Sequence, residues 1–276
     1  MSTPKPAENT QYESNPFTLS FNALGRMFEK NALWAAGFVG LTLVWFFMQL
    51  FGQIFQAIFS NPQSNSAYTN SSGNELNAVA ILAIAILIFS IVLVVVIISI
   101  AISTFVSGLF SYIALESNQG RSVTASQGFS KALHRFWPLF KSQLLAAVKI
   151  FGWTLLFIIP GIVAFYRYSA LPFVVMAEDE TSASKIHART KLLVKKRLWE
   201  LFGISFVAGL IPVVGGLLKY TGTAALYQQM QVYTDGNIEK PKVHWLNYLG
   251  MMLLGAFAIF SMFIIAIIFI AVKASS

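Results

Sequence analysis

Cysteine is absent from all 276 residues. That excludes disulfides, thiolate metal sites and cysteine nucleophiles. Charge is scarce: Asp, Glu, Lys and Arg make up 11% of the chain, against roughly 25% in a soluble domain. It is missing altogether from Leu76 to Leu115. Gly-rich phosphate loops and the Gly-x-Ser-x-Gly elbow are also missing, so two common signatures of phosphate binding and hydrolysis are not available. The three histidines, His134, His187 and His244, lie far apart. None has a second ligand at the spacing of a helical metal pair, and no metal or other cofactor is implied. The first thirty residues hold no apolar core, so a chain without a cleavable signal peptide is expected.

What is abundant is apolar surface. Hydrophobic residues make up 56% of the chain and mean hydropathy is +0.67. The centre of the Leu76–Leu115 run is apolar on every side, which a helix of a soluble domain does not need. A bilayer needs about twenty such residues per crossing. The expected fold is all-α: a polytopic membrane helix bundle of about six transmembrane helices plus cytoplasmic amphipathic helices. Residues 1–16 read as a disordered tail, and residues 17–276 as a single integral membrane domain.

Helical spacing of Phe17, Phe21, Leu24 and Phe28 predicts a short interfacial helix over Phe17–Lys30. The predicted spans are Ala32–Phe59, a second from Leu76, Phe140–Ile159, Ile162–Ala177, Leu201–Leu218 and Trp245–Val272. The second is too long for one perpendicular crossing, so it tilts, kinks near Ser103-Thr104 and Ser107-Gly108, or projects from the membrane. Pro160-Gly161 is read as the end of the third span, and Pro212 with Gly215-Gly216 as a second breaker set. The first breaker also allows a bent or re-entrant pair of helices.

Basic residues set the orientation. The N-terminus, Glu116–Pro138, the basic amphipathic helix Ser182–Arg197 and the C-terminus together collect most of the 19 Lys and Arg, whereas Ser60–Asn74 has none. Six spans then put both termini in the cytoplasm and Lys219, Lys240 and Lys242 on the opposite side. The net charge of +8 is read as Lys and Arg facing anionic headgroups of membrane lipids at the cytoplasmic face. Nucleic acid is not the expected partner, because Ser182–Arg197 offers no aromatic residue for bases to stack on.

Three stretches carry a resemblance: Ser126-Gln-Gly-Phe-Ser-Lys-Ala-Leu-His-Arg-Phe-Trp-Pro, Ile159-Pro-Gly-Ile-Val-Ala-Phe-Tyr-Arg-Tyr-Ser-Ala-Leu-Pro-Phe, and Ser182-Ala-Ser-Lys-Ile-His-Ala-Arg-Thr-Lys. Their order over Asn118–Phe206 resembles the multispan bacterial membrane domain attached to some glycerophosphoryl diester phosphodiesterases, and inner-membrane proteins related to it. The resemblance implies six helices in the bacterial cytoplasmic (inner) membrane. In the fused enzymes the hydrolase is a separate barrel, so it implies no phosphodiesterase activity for any residue here.

Candidate residues for a polar or ligand site are Lys149, Pro160, Gly161, Tyr166, Arg167, Tyr168 and Glu178. Intramembrane charge points to function, and Lys149 and Arg167 fall in or beside predicted spans. Both can also snorkel to an interface. Tyr166 and Tyr168 can line a pocket with Arg167 or form an interfacial belt, and Glu178 can simply end a span in water. The function expected is a non-enzymatic inner-membrane role in membrane or envelope physiology, handling or sensing a lipid or small solute. A transporter or channel subunit with its site at the broken helices is the alternative. An intramembrane enzyme lacks a matched pair of catalytic groups.

Overall fold

A computed structural model describes residues 12–59, 78–236, 238–239 and 241–252, with scattered helical positions from 255 to 273. Most of the expected tail, the Ser60–Asn74 loop and much of the Trp245–Val272 span lie outside the described residues. No strand occurs among the described residues. Among the described residues, four helical segments are long and apolar enough to cross a membrane: Pro16–Gln56, Leu82–Asn118, Phe136–Leu156 and Ile158–Ala177.

Helix α1 (Pro16–Phe59) breaks at Asn31, whose φ of −137° and ψ of 45° are non-helical. The break separates the amphipathic Phe17–Lys30 segment from the apolar one. Its polar groups are satisfied from elsewhere. The Asn31 amide donates to Ser117 Oγ at 2.7 Å and to the Arg121 carbonyl at 3.0 Å, and accepts from the Val123 N–H at 2.6 Å. Helix α2 (Ala78–Asn118) runs without a kink. From Leu82 to Ile102 its large apolar side chains are exposed, and from Thr104 it is buried. It therefore projects from the apolar layer into the protein body, one of the three outcomes its length allows. Ser90 and Ser99 bond back to the carbonyls of Ile86 and Val95, so neither hydroxyl is left unpaired in a lipid-facing stretch.

Helix α3 (Ala125–His134) starts at a capping box between Thr124 and Gln127. Helix α4 (Phe136–Leu156) then ends at Phe157, which is extended with φ −155° and ψ 135°. The chain folds straight back into α5 (Ile158–Tyr168). The break thus falls at Phe157 and not at Pro160-Gly161. Pro160 sits in the first turn of α5, where a missing N–H costs nothing. A Cβ on Gly161 would lie 2.2 Å from Thr154 Oγ1, so glycine lets the two arms touch.

The expected fourth span is two elements. After α5, helix α6 (Leu171–Ala177) is buried from Leu171 through Met176 and forms the centre of the core with Leu139, Ile186, Leu201, Ile204 and Tyr227. The expected fifth span is not one helix either. Helix α7 (Ala183–Val194) is followed by α8 (Leu198–Gly209), then by a break at Ile211 and by α9 (Pro212–Asp235). A Cβ on Gly215 would sit 2.0 Å from the Ala208 carbonyl oxygen. The α8–α9 turn repeats the device of α4–α5, a break beside a proline and a glycine that permits close approach. A further helix, α10, begins at 246.

Candidate functional site

The two hairpins face each other across a cavity of about 310 Å³. Its apolar wall is Ala146, Ala147, Ile150, Phe165, Leu171, Pro172 and Phe173. Its polar wall draws Ser107 from α2, Gln143 from α4, Tyr168 and Ser169 from the end of α5, and Lys219, Tyr220 and Thr223 from α9. No carboxylate lines it. Gln143 is fixed on both sides: it accepts from Thr104 Oγ1 at 2.8 Å and donates to Ser107 Oγ at 3.3 Å. Lys219 Nζ lies 5.3 Å from the centre of the Phe165 ring, a cation–π distance. Ala147, Phe165 and Gly216 on the rim are exposed, so the mouth opens between the hairpins toward their apolar surface.

Next to the cavity, α4 meets α7. Lys149 Nζ lies 3.1 Å from His187 Nδ1, and His187 Nε2 lies 2.9 Å from the Ser142 carbonyl. A lysine ammonium can only donate. Nδ1 therefore accepts, the ring proton resides on Nε2, and the imidazole is neutral. Burial holds the His187 pKa below its ordinary value; the Ser142 carbonyl pulls it up and Lys149 pushes it down. The Tyr168 ring is 4.8 Å from that of His187.

The seven candidates are thus divided. Lys149 and Tyr168 come together, with Tyr168 also in the cavity wall. Tyr166 faces elsewhere, 5.0 Å from the Phe202 ring. Arg167 lines a groove with Lys191, Lys195 and Lys196 at the foot of α5. Pro160 and Gly161 belong to the hairpin tip. Glu178 is committed to structure: it accepts from Arg189 Nε at 2.8 Å and from the Tyr227 hydroxyl at 3.2 Å. Arg189 also binds Asp235 with two bonds of 2.7 and 2.8 Å. His187, Gln143, Ser107 and Lys219 escaped the sequence reading. Only Lys219 gave a signal there, as a basic residue beside an apolar stretch.

Other buried charges hold the body together. Arg135 donates to the carbonyls of Val175, Glu178, Asp179 and Glu180, covering the C-terminal end of α6. Arg197 pairs with Glu200 at 3.0 Å, and both are about 1% exposed. The N-terminal segment closes over this pair. Tyr12 and Ser14 donate to Glu200 at 2.8 and 2.9 Å, and the Arg197 guanidinium lies 4.5 Å from the Tyr12 ring centre. Ser14 in turn accepts from the His244 N–H, and its carbonyl accepts from Asn247. No triad of His, Asp and Glu suited to a metal occurs among the described residues.

No family model, curated protein or solved structure matches this chain.

Proposed function

We propose that this is a non-enzymatic protein of the bacterial inner membrane that handles or senses lipid in the cytoplasmic leaflet. One observation carries the reading: the charge-free part of the α4–α5 hairpin is short, and α7 packs at its foot. The uncharged stretch between Lys149 and Arg167 folds at Phe157 into arms of about 10 to 14 Å. The hydrocarbon core is about 30 Å thick. The His187 contact ties Lys149 to α7, which carries Lys185, Arg189 and Lys191. That helix belongs in water or among headgroups, where the basic groove of Arg167 suits anionic lipids. The stretch between Glu200 and Lys219, folded at Ile211, gives arms of similar length. On this reading α1, α2 and α10 cross the bilayer, and both hairpins dip into the cytoplasmic leaflet.

A transporter subunit is the second reading, favoured by the cavity between the broken helices. It requires the hairpins to reach the far side.

The absence of native cysteine makes single-cysteine labelling clean. An impermeant thiol reagent applied outside should label Ser66→Cys. It should reach Ser184→Cys only after permeabilisation, and Phe157→Cys from neither side. Labelling of Phe157→Cys from outside would overturn the half-depth hairpin and favour transport.

A further inference from the structure

Lys219 is a partly buried cation, and an unpaired charge in an apolar surround is costly. It faces a cavity whose other polar groups are hydroxyls, an amide and backbone. No ion pair or hydrogen bond holds its ammonium among the described contacts; its neighbour is the Phe165 ring. Burial without a counter-charge is the situation that bound anions relieve.

Depth identifies the anion. Along α9, Lys219 lies about 12 Å below the break at Ile211. Phe165 lies about 12 Å below the break at Phe157. If the tips reach near mid-bilayer, as the leaflet reading has it, Lys219 lies at the level of the cytoplasmic phosphates. The mouth is lateral, between Ala147, Phe165 and Gly216, and its rim continues into the exposed apolar side chains Ile162 and Phe151. Such a mouth admits a molecule already in the bilayer, head inward and chains outward.

The geometry points to this cavity as the seat of one anionic glycerophospholipid, its phosphate held by Lys219 and its acyl chains leaving between the hairpins. Gln143 and Tyr220 supply hydrogen-bonding groups on the facing walls. Gln143 is already joined to Ser107 and Thr104, so this polar wall is preorganised. This inference rests on the leaflet reading and adds to it the ligand and the residue that selects it.

The test uses the full chain in nanodiscs of equal parts phosphatidylglycerol and phosphatidylcholine. After mild detergent extraction, native mass spectrometry counts the lipids retained. The wild type should keep phosphatidylglycerol in preference. Lys219→Met should lower that retention about tenfold, the loss of one charge-assisted bond, and Lys219→Arg should restore it. Ala147→Trp, an exposed rim position, should block retention with Lys219 intact, and decides the matter where Lys219→Met does not accumulate.

Equal retention by the wild type, Lys219→Met and Ala147→Trp overturns the site. A free phosphate could satisfy the same ammonium, so inorganic phosphate is titrated in parallel. Stripping of the lipid by phosphate assigns the site to a soluble anion and overturns the lipid assignment. The Phe157→Cys labelling stands apart from these readouts. Labelling from outside sinks the leaflet reading, whereas an unlabelled tip with no dependence on Lys219 sinks this inference alone.

Discussion

Four carbonyls surround Arg135, and Tyr12 and Ser14 close over the Arg197–Glu200 pair. Both buried arginines thus have polar or charged partners, which makes the exceptions informative. His187 is one, because its neutral ring lies against the ammonium of Lys149. Burial holds its folded pKa down, so the unfolded chain binds the proton more readily. The stability it contributes is fully present above the ordinary histidine range and is lost as pH falls through the depressed folded value. Thermal unfolding in detergent between about pH 7.5 and about pH 5 should therefore show a falling midpoint. His187→Gln, which can still donate to Ser142 and accept from Lys149, should remove most of that fall; an equal fall in both proteins would refute the assignment. The sequence could not show this pair. Lys149 and His187 are joined by the packing of α7 on α4, and His187 reads as one more residue of a basic amphipathic helix. Lys219 was visible only as a charge to be counted for orientation.

Both hairpins depend on close backbone approach, and their glycines are not equivalent. A Cβ at Gly215 meets the Ala208 carbonyl, part of the backbone, whereas Gly209 next to the same turn has nothing within 4 Å. Gly215→Ala should destabilise the protein by about 1 to 3 kcal/mol and lower its accumulation in the membrane, while Gly209→Ala should be silent in the same detergent melt. Equal tolerance of both would mean that the arms are not packed as described. The elements legible in the sequence were those whose signal is hydropathy: the apolar parts of α1 and α2, and the amphipathic Phe17–Lys30 segment and α7. Pro160 and Pro212 flagged the breaks but misplaced the first. A proline at the start of a helix follows a break instead of making it, and nothing local marks Phe157. The division of the expected Ile162–Ala177 span into α5 and the buried α6 was not legible, because complete burial in protein and complete exposure to lipid select the same apolar residues.

For the whole molecule, the decisive contacts are those beyond α9. Asp235 is bound by Arg189, and the Asn247 amide by the Ser14 carbonyl. The start of α10 thus shares a face with α7 and the N-terminal segment, and the Trp245–Val272 stretch leaves from there without a charge. On the leaflet reading, one crossing by that stretch would put the C-terminus on the side opposite the N-terminus, whereas the expected six spans put both termini in the cytoplasm. Terminal reporter fusions should split: a periplasm-active phosphatase should work at the C-terminus and a cytoplasm-dependent fluorophore at the N-terminus. Cytoplasmic activity at both ends would restore an even number of crossings. The Ser14 seam has a separate consequence for biosynthesis. Ser14 and His244 are 230 positions apart, and Tyr12 is 188 from Glu200. While the chain is still being made, the Arg197–Glu200 pair can receive Tyr12, but the seam over it waits for residues 244–247 to emerge from the ribosome. Until then the nascent body has an unfastened edge, and a late-made segment is the one that locks an early one.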